Sequence, residues 1–117
     1  MKMAEVIEAL GALAHEHRLG IYRLLVEQGP GGLPAGAIGE RVGLVPSSLS
    51  FHLQALQRAG LIAQVRASRQ IIYSADYPVM NSLVGYLTDK CCSVGGDSCA
   101  TRCAPQTARS PRRRKAA

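Results

Sequence analysis

All four cysteines of the chain, Cys91, Cys92, Cys99 and Cys103, lie near one end, and none occurs in the preceding ninety residues. Thiolate sulfur is a soft ligand, so this cluster favours thiophilic ions over hard ions such as calcium or magnesium. Three thiolates suit trivalent arsenic or antimony, which bonds three sulfurs in a pyramid, whereas zinc takes four ligands in a tetrahedron. Because adjacent Cys91 and Cys92 are awkward in a zinc tetrahedron, the cluster predicts a site for trivalent arsenic or antimony.

The same cysteines are compatible with two other kinds of chemistry. They form disulfides if the protein responds to oxidants; Lys90 and Arg102 favour thiolates, while the negative end of a preceding helix opposes them at Cys91 and Cys92. A thiol enzyme or metal-trafficking protein is a third reading, although no acid–base partner set accompanies the cysteines. The residue types leave both alternatives open.

The N-terminal stretch "MKMAEVIEAL" places Glu5 and Glu8 among its apolar residues. It therefore matches neither a signal peptide nor a membrane span, and we expect a cytoplasmic protein without a membrane partner. In a reducing compartment, clustered cysteines are more often ligands or redox groups than structural disulfides. With 117 residues the chain has room for one small domain, whose thin core a partner subunit would help to bury.

The elements needed to position these groups follow from apolar spacing. Apolar residues three and four apart predict five helices, over about residues 3–14, 16–28, 34–42, 46–59 and 77–90. Two β-rich runs, Leu61 to Val65 and Ile71 to Ser74, flank a short turn holding Ala67 and Ser68 and predict a hairpin. This order predicts a mostly α fold with a small β-hairpin, a winged helix-turn-helix.

The fourth helix carries candidate DNA-binding residues opposite its leucines. These side chains are short or planar hydrogen-bonding groups that suit base edges and phosphates in a major groove: Ser47, Ser48, Ser50, His52 and Gln54. Ser47 or Ser48 is also expected to cap the helix. Phe51 either contacts a thymine methyl or packs against the wing. Arg66 and Arg69 lie on the predicted hairpin and are expected at the DNA backbone.

Charge divides the chain into regions. Of the net charge of +6, five positive charges lie in the last nine residues. Residues 45–75 carry three arginines and no acidic residue, so a local basic face remains without the tail. We therefore predict a DNA-binding and dimerisation domain over residues 1–92, a cysteine-containing sensor segment over 93–103 and a basic disordered tail over 104–117.

Across roughly residues 3–92 the chain resembles the ArsR/SmtB family of metal-responsive bacterial repressors. The resemblance is carried by "LAHEHRLGIYRLL", "SSLSFHLQALQRAGLI" and "VRASRQIIYS", which are similar to the family's second helix, recognition helix and wing. It implies a homodimer joined through the first and last helices. It further implies that this dimer binds double-stranded operator DNA until an inducer releases it, and that the protein is not an enzyme.

The sequence departs from the family at its sensor sites. The third helix lacks cysteine and the last helix lacks histidine, so two familiar metal sites are not expected. His15 and His17, which flank Glu16, are predicted to be surface or capping residues, and the wing turn lacks the family's usual glycine. Some arsenic-responsive members place vicinal cysteines at the end of the last helix with a third downstream, a pattern that Cys91, Cys92 and Cys99 resemble.

Cys103 is then either a spare cysteine or the third ligand in place of Cys99. The predicted inducer is trivalent arsenic (arsenite) or antimony, and no organic cofactor is expected. A thiol-redox-responsive repressor is the alternative. Neighbouring helical side chains diverge by roughly 100 degrees, so Cys91 and Cys92 converge on one ion only if the helix ends or unwinds there.

Overall fold

The computed structural model describes residues 1–94, which form five helices and three short strands. The helices are α1 (Met3–Leu13), α2 (Glu16–Gln28), α3 (Ala35–Val42), α4 (Pro46–Arg58) and α5 (Tyr77–Thr88), and the strands are β1 (Leu33–Pro34), β2 (Ile62–Ala67) and β3 (Gln70–Ala75). The chain divides into two compact units, Met1–Tyr86 and a second one that begins at Leu87. The predicted mostly α fold is confirmed, whereas the predicted boundary after residue 92 stays a prediction.

The helices begin and end where local chemistry satisfies their backbone groups. His15 precedes α2 and its Nδ1 accepts a hydrogen bond from the backbone N–H of His17 at 3.1 Å, so the predicted capping role of His15 is confirmed. Gly43 ends α3 in the left-handed region with φ of 74°, where glycine is unstrained. Pro46 opens α4. The predicted serine cap of α4 is wrong, because Val45 precedes the helix and the serines lie within its first turn.

The core forms where α2, α3 and α4 meet the base of the wing. Its largest fully buried side chains come from these elements: Ile21, Leu25, Ile38, Leu56 and Leu61. Leu49 and Leu53 of α4 are also buried. The apolar spacing of α2 and α4 therefore does bury one face of each helix, as the sequence predicted.

The predicted hairpin is part of a three-stranded antiparallel sheet with the strand order β1, β3, β2. β2 and β3 pair from Ile62 opposite Ala75 to Ala67 opposite Gln70. β1 adds Leu33 and Pro34 opposite Tyr73 and Ile72, a strand that was not predicted from the sequence. Two residues are too short to show a strand period. The sheet instead depends on Gly32, whose φ is 69° and where an added Cβ would collide with the carbonyl oxygen of Tyr73.

The tip of the wing is a two-residue turn formed by Ser68 and Arg69. The predicted turn was displaced by one residue, because Ala67 still pairs with Gln70. Ser68 has a φ of 59°, a left-handed conformation that glycine adopts more easily. A positive φ at the first central residue is shared by the two-residue hairpin turns of types I′ and II′, so Ser68 supplies the backbone conformation that closes the hairpin without a glycine.

The first and last helices each leave apolar side chains in solvent. The apolar residues of α1 lie on two sides of the helix, because Val6 and Ala9 are buried while Ile7 is 62% exposed together with Met3 and Leu10. The last helix buries Leu83, whereas Val84 and Leu87 are more than half exposed. No helix within residues 1–94 is long and apolar enough to cross a membrane.

Tyr77 at the start of α5 and Tyr22 of α2 differ in how their hydroxyl groups are satisfied. The Tyr77 hydroxyl donates to the carbonyl oxygen of Val26 at 2.9 Å and also lies 3.3 Å from that of Leu25, so it ties α5 to the end of α2. The Tyr22 hydroxyl is buried and has no hydrogen-bond partner among residues 1–94. Burial is the main cause that raises the pKa of Tyr22, followed by the nearby Asp76 and Tyr77.

We predict opposite effects for the Phe substitutions of these tyrosines. Tyr22→Phe should leave the free energy of unfolding unchanged or raise it by about 1 kcal/mol, because it removes a buried hydroxyl without a partner. Tyr77→Phe should lower it by about 1 kcal/mol, because it removes a donor from the end of α2. Urea unfolding at one fixed protein concentration measures both, and a larger loss for Tyr22→Phe than for Tyr77→Phe would contradict the assignment.

Candidate nucleic-acid interface

Helix α4 has one buried face and one polar face in solvent. Leu49, Leu53 and Leu56 are buried, whereas Ser48 is half-buried. The exposed candidate side chains are Ser47, Ser50, Phe51 and Gln54, which lie three and four residues apart and so share one stripe of the helix. Of the candidate residues on α4, the structure therefore brings these four to one surface.

His52 does not belong to that surface. Its side chain is only 7% exposed, so the prediction that it lies on the face opposite the leucines is wrong. The reason is helical spacing: His52 follows Leu49 by three residues and precedes Leu56 by four, which places it beside both leucines. Residue type suggested a polar face, but the spacing already indicated the buried one.

Arg18 of α2 is the partner that makes the burial of His52 tolerable. The Nε–H of Arg18 donates to Nδ1 of His52 at 3.2 Å, and the guanidinium carbon lies 5.6 Å from the centre of the Phe51 ring. Arg18 was not among the residues predicted from the sequence. Its position three and four residues before Ile21 and Tyr22 was the available signal, because both of these residues are buried on α2.

The three histidine rings of the chain lie close together beside this contact. The ring centres of His15 and His52 are 4.8 Å apart, and His17 lies 5.6 Å from His15 and 5.7 Å from His52. The sequence indicated His15 and His17 only as an isolated pair, so this approach of His52 is a finding of the structure. Within residues 1–94, however, no group of three His, Cys, Asp or Glu side chains is arranged to hold a metal ion.

Burial lowers the pKa of His52, and the nearby His15, Arg18 and His17 lower it further in that order. The cause is that a charged imidazole loses hydration inside the protein and repels neighbouring positive charge. A neutral His52 also has the lone pair on Nδ1 that accepts the hydrogen bond from Arg18.

The wing presents its arginines to solvent. Arg66 lies on β2 opposite Ile71, Arg69 lies in the turn, and both side chains are exposed. The one salt bridge within the described part of the chain joins Arg23 and Glu27 of α2 at 3.5 Å. The wing arginines therefore have no acidic partner among residues 1–94 and keep their charge available to a polyanion.

Comparison with known proteins gives the family. A family profile described as a helix-turn-helix domain matches residues 13–65. The nodulation protein NolR of Rhizobium meliloti is 34% identical over 80 residues, which cover 68% of this chain and 63% of NolR. The crystal structure of NolR from Sinorhizobium fredii is 32% identical, with a TM-score of 0.59 over 74% of this chain and 84% of that chain. The chain belongs to the ArsR/SmtB family.

A solution structure from Mycobacterium bovis extends the comparison. It is described as the homodimeric winged helix-turn-helix DNA-binding domain of "a possible ArsR-family transcriptional regulator". It is 28% identical to this chain, with a TM-score of 0.59 over 76% of this chain and 82% of that one. Membership of the ArsR/SmtB family confirms the predicted winged helix-turn-helix. The homologues of this chain are transcriptional regulators and not enzymes, in agreement with the expectation from the sequence. The chain spans less than two thirds of the length of NolR from R. meliloti.

In this ArsR/SmtB chain the vicinal cysteines lie just after the last helix. α5 ends at Thr88, and Cys91 donates its backbone N–H to the carbonyl oxygen of Thr88 at 2.9 Å. Cys92 has a φ of 63°, so the helix does not continue through the pair. The two Sγ atoms lie 3.4 Å apart, which is a hydrogen-bond contact and not an S–S bond. Cys92 is disulfide-bonded. The predicted ligands Cys99 and Cys103, and the predicted tail over 104–117, lie outside the described residues.

We predict that stability depends on pH through His52. Its pKa is lowered in the folded protein from an ordinary value of about 6.5, so below that pH the unfolded chain binds more protons than the folded one. The contribution of neutral His52 to the free energy of unfolding should therefore be fully present above pH ~6.5. It should decrease as the pH falls from there towards the pKa of His52 in the folded protein. Thermal unfolding followed between pH 7.5 and pH 5.5 measures this decrease.

His52→Asn is the matched control, because its amide oxygen can accept from Arg18 without titrating. It leaves His15 and His17 unchanged, so their contribution is the same in both proteins. The variant should lose less stability than the parent over the same pH interval. An equal loss in both proteins would contradict the role given to His52.

Proposed function

We propose that the protein is a homodimeric transcriptional repressor that binds operator DNA through α4 and the wing. The observation that carries this proposal is the exposed stripe of Ser47, Ser50, Phe51 and Gln54 on α4, the second helix of the helix-turn-helix that α3 and α4 form. Such side chains suit the edges of bases in a major groove. The exposed arginines of the wing supply positive charge for the flanking phosphates.

The apolar residues left in solvent on α1 and α5 support the homodimer. A chain of this size gains stability by covering such faces with a second copy, since exposed apolar surface gathered on one helix face marks an interaction site. Ile7 on α1 and Val84 on α5 belong to these faces, and both are more than half exposed. A two-fold dimer presents two copies of α4, and we therefore expect an operator built as an inverted repeat, with half-sites about one helical turn apart.

The proposed inducer is trivalent arsenic or antimony, bound by Cys91, Cys92 and one of the two downstream cysteines. The 3.4 Å separation of the first two Sγ atoms supports convergence on a single ion. The end of α5 before these residues supports it as well, because adjacent residues of a continuous helix point in different directions. Binding would act on the end of a dimerisation helix, and a coupling of ~1–3 kcal/mol changes operator affinity by about 5–150-fold.

A redox-responsive repressor is the second candidate, and the disulfide at Cys92 favours it. A sulfur in a disulfide is not a thiolate, so it has to be reduced before it binds a metalloid. In this alternative the oxidised and reduced forms of the protein differ in operator affinity, and arsenite has no effect of its own. The two candidates share the repressor and its dimer and differ only in the signal.

The DNA interface is tested by salt dependence. Replacing Arg66 and Arg69 together with Ala should reduce the slope of log affinity against log salt concentration by about 0.9 for each phosphate that the variant no longer neutralises. Arg23→Ala is the control, because this exposed arginine pairs with Glu27 and lies on α2. Fluorescence anisotropy with a duplex obtained by in vitro selection gives the slopes. Equal slopes for the wing variant and the parent would rule out phosphate binding at the wing.

The inducer is tested on fully reduced protein bound to the same duplex. Arsenite should release the DNA and peroxide should not, whereas the redox alternative predicts the reverse. Cys91→Ser or Cys92→Ser should abolish release by arsenite and leave DNA affinity unchanged, because an alcohol is a hard and poorly ionised substitute for a thiolate. If arsenite still releases the DNA fully when both Cys91 and Cys92 are replaced with serine, the proposed metalloid site is wrong.

Single serine substitutions of the two downstream cysteines identify the third ligand. Cys103→Ser should be tolerated if Cys99 completes the site, and the two phenotypes should exchange if Cys103 does. If both are dispensable, the site is a Cys91–Cys92 pair or is completed across the dimer. Metalloid titration with the stoichiometry measured per dimer separates these two arrangements.

A further inference from the structure

Phe51 is an exposed aromatic side chain in the middle of a polar surface. It is the only phenylalanine of the chain and its side chain is 61% exposed. It is not among the apolar residues that pack against the core. Ser47, Ser50 and Gln54 surround it on the same stripe of α4, at spacings of four, one and three residues. A single exposed apolar residue is common, so the way in which this ring is held is what distinguishes it.

Two neighbours fix the Phe51 ring in place. The ring of His52 meets it edge-on, with centres 5.5 Å apart and planes at 66°, a favourable geometry for aromatic pairs. The guanidinium of Arg18 lies 5.6 Å from the centre of the ring, within the range of a cation–π contact. These contacts favour one orientation of the phenyl ring and leave most of it open to solvent.

Arg18 joins these contacts into one unit. Because its Nε donates to Nδ1 of His52, the plane of the guanidinium is set by a residue that is itself buried. The planar group then lies against Phe51. A lysine has neither the Nε donor nor the planar fork, so it does not reproduce both contacts. Arg18 is therefore a positioning residue for the Phe51 ring.

The chemistry of the major groove identifies what such a ring contacts. Hydrogen-bond donors and acceptors form most of the groove edge of each base pair, and the apolar group that the groove offers is the 5-methyl of thymine. An ordered apolar ring among hydroxyl and amide groups is complementary to that methyl. We propose that Phe51 selects thymine in each operator half-site by contacting its 5-methyl group, with Arg18 holding the ring. This inference rests on the proposed DNA-binding function.

Uracil substitution isolates the methyl group. Operator duplexes are selected in vitro with the full-length parent protein, and each thymine of a half-site is then replaced by uracil, which lacks only the 5-methyl. At one position the replacement should weaken binding by about four-fold per half-site, which corresponds to the free energy gained when one methyl group is buried. Replacing thymines elsewhere in the duplex should have little effect.

Phe51→Ala should remove this penalty, so that the variant binds the thymine and uracil duplexes equally. Val65→Ala is the matched control, because Val65 is 62% exposed but lies on β2, and it should keep the penalty. Arg18→Lys should reduce the ratio between thymine and uracil duplexes. A purely structural role of Arg18 would instead weaken binding to both duplexes and leave that ratio unchanged.

The outcomes separate this inference from the function on which it rests. If in vitro selection yields no specific duplex, the proposed function fails. If specific binding is found but no thymine is sensitive to uracil, or if the penalty persists in Phe51→Ala, the inference is overturned while the function stands. It is also overturned if Phe51→Ala dissociates the dimer in size-exclusion chromatography with light scattering, because Phe51 would then be a subunit contact.

Discussion

Burial of one face of α4 is the constraint on which the candidate interface depends. Leu49, Leu53 and Leu56 repeat at intervals of four and three residues and are buried together. Truncating a buried leucine to alanine typically costs about 2–5 kcal/mol, so these contacts also fix the rotation of the helix about its axis. Once they are buried, the stripe from Ser47 to Gln54 has to face solvent. The polar surface is thus a consequence of core packing.

The hydrogen bond between Arg18 and His52 adds a polar tie to this apolar contact. A buried imidazole without a partner would cost free energy, and the Nε–H of Arg18 satisfies its Nδ1. The tie joins the first turn of α2 to the middle of α4 and requires a neutral His52. The same arginine lies against Phe51. Arg18 therefore contacts both the buried, neutral His52 and the exposed Phe51 ring, so a change in the protonation of His52 reaches Phe51 through the same side chain.

The terminal helices show the limit of what a chain of this length buries on its own. α1 is apolar on two sides, and only the side with Val6 and Ala9 contributes to the core. The other side, with Ile7, stays in solvent. A small domain leaves a large fraction of its surface exposed, so the second apolar side has no partner within residues 1–94 that covers it. The vicinal cysteines follow directly after α5, the other helix with exposed apolar residues.

The sequence by itself determined the elements and their order, because helix periods, glycine stops and β-rich runs are local properties. It also determined the family, through motifs that include the stretch from Ser47 to Ile62. Local patterns failed where contacts between distant residues decide. β1 exists only because Gly32 lets the chain approach Tyr73, and two residues carry no period of their own.

His52 shows most clearly what only the tertiary structure decided. A histidine is compatible with either face of a helix, so its polar character favours the exposed face while its spacing from Leu49 and Leu56 favours the buried one. Its burial depends on Arg18, a residue 34 positions earlier in the chain. No local pattern pairs these two residues, because a hydrogen bond between helices forms only when packing brings them together. The tertiary structure therefore decided which polar residues of α4 are exposed to solvent and which one is buried against α2.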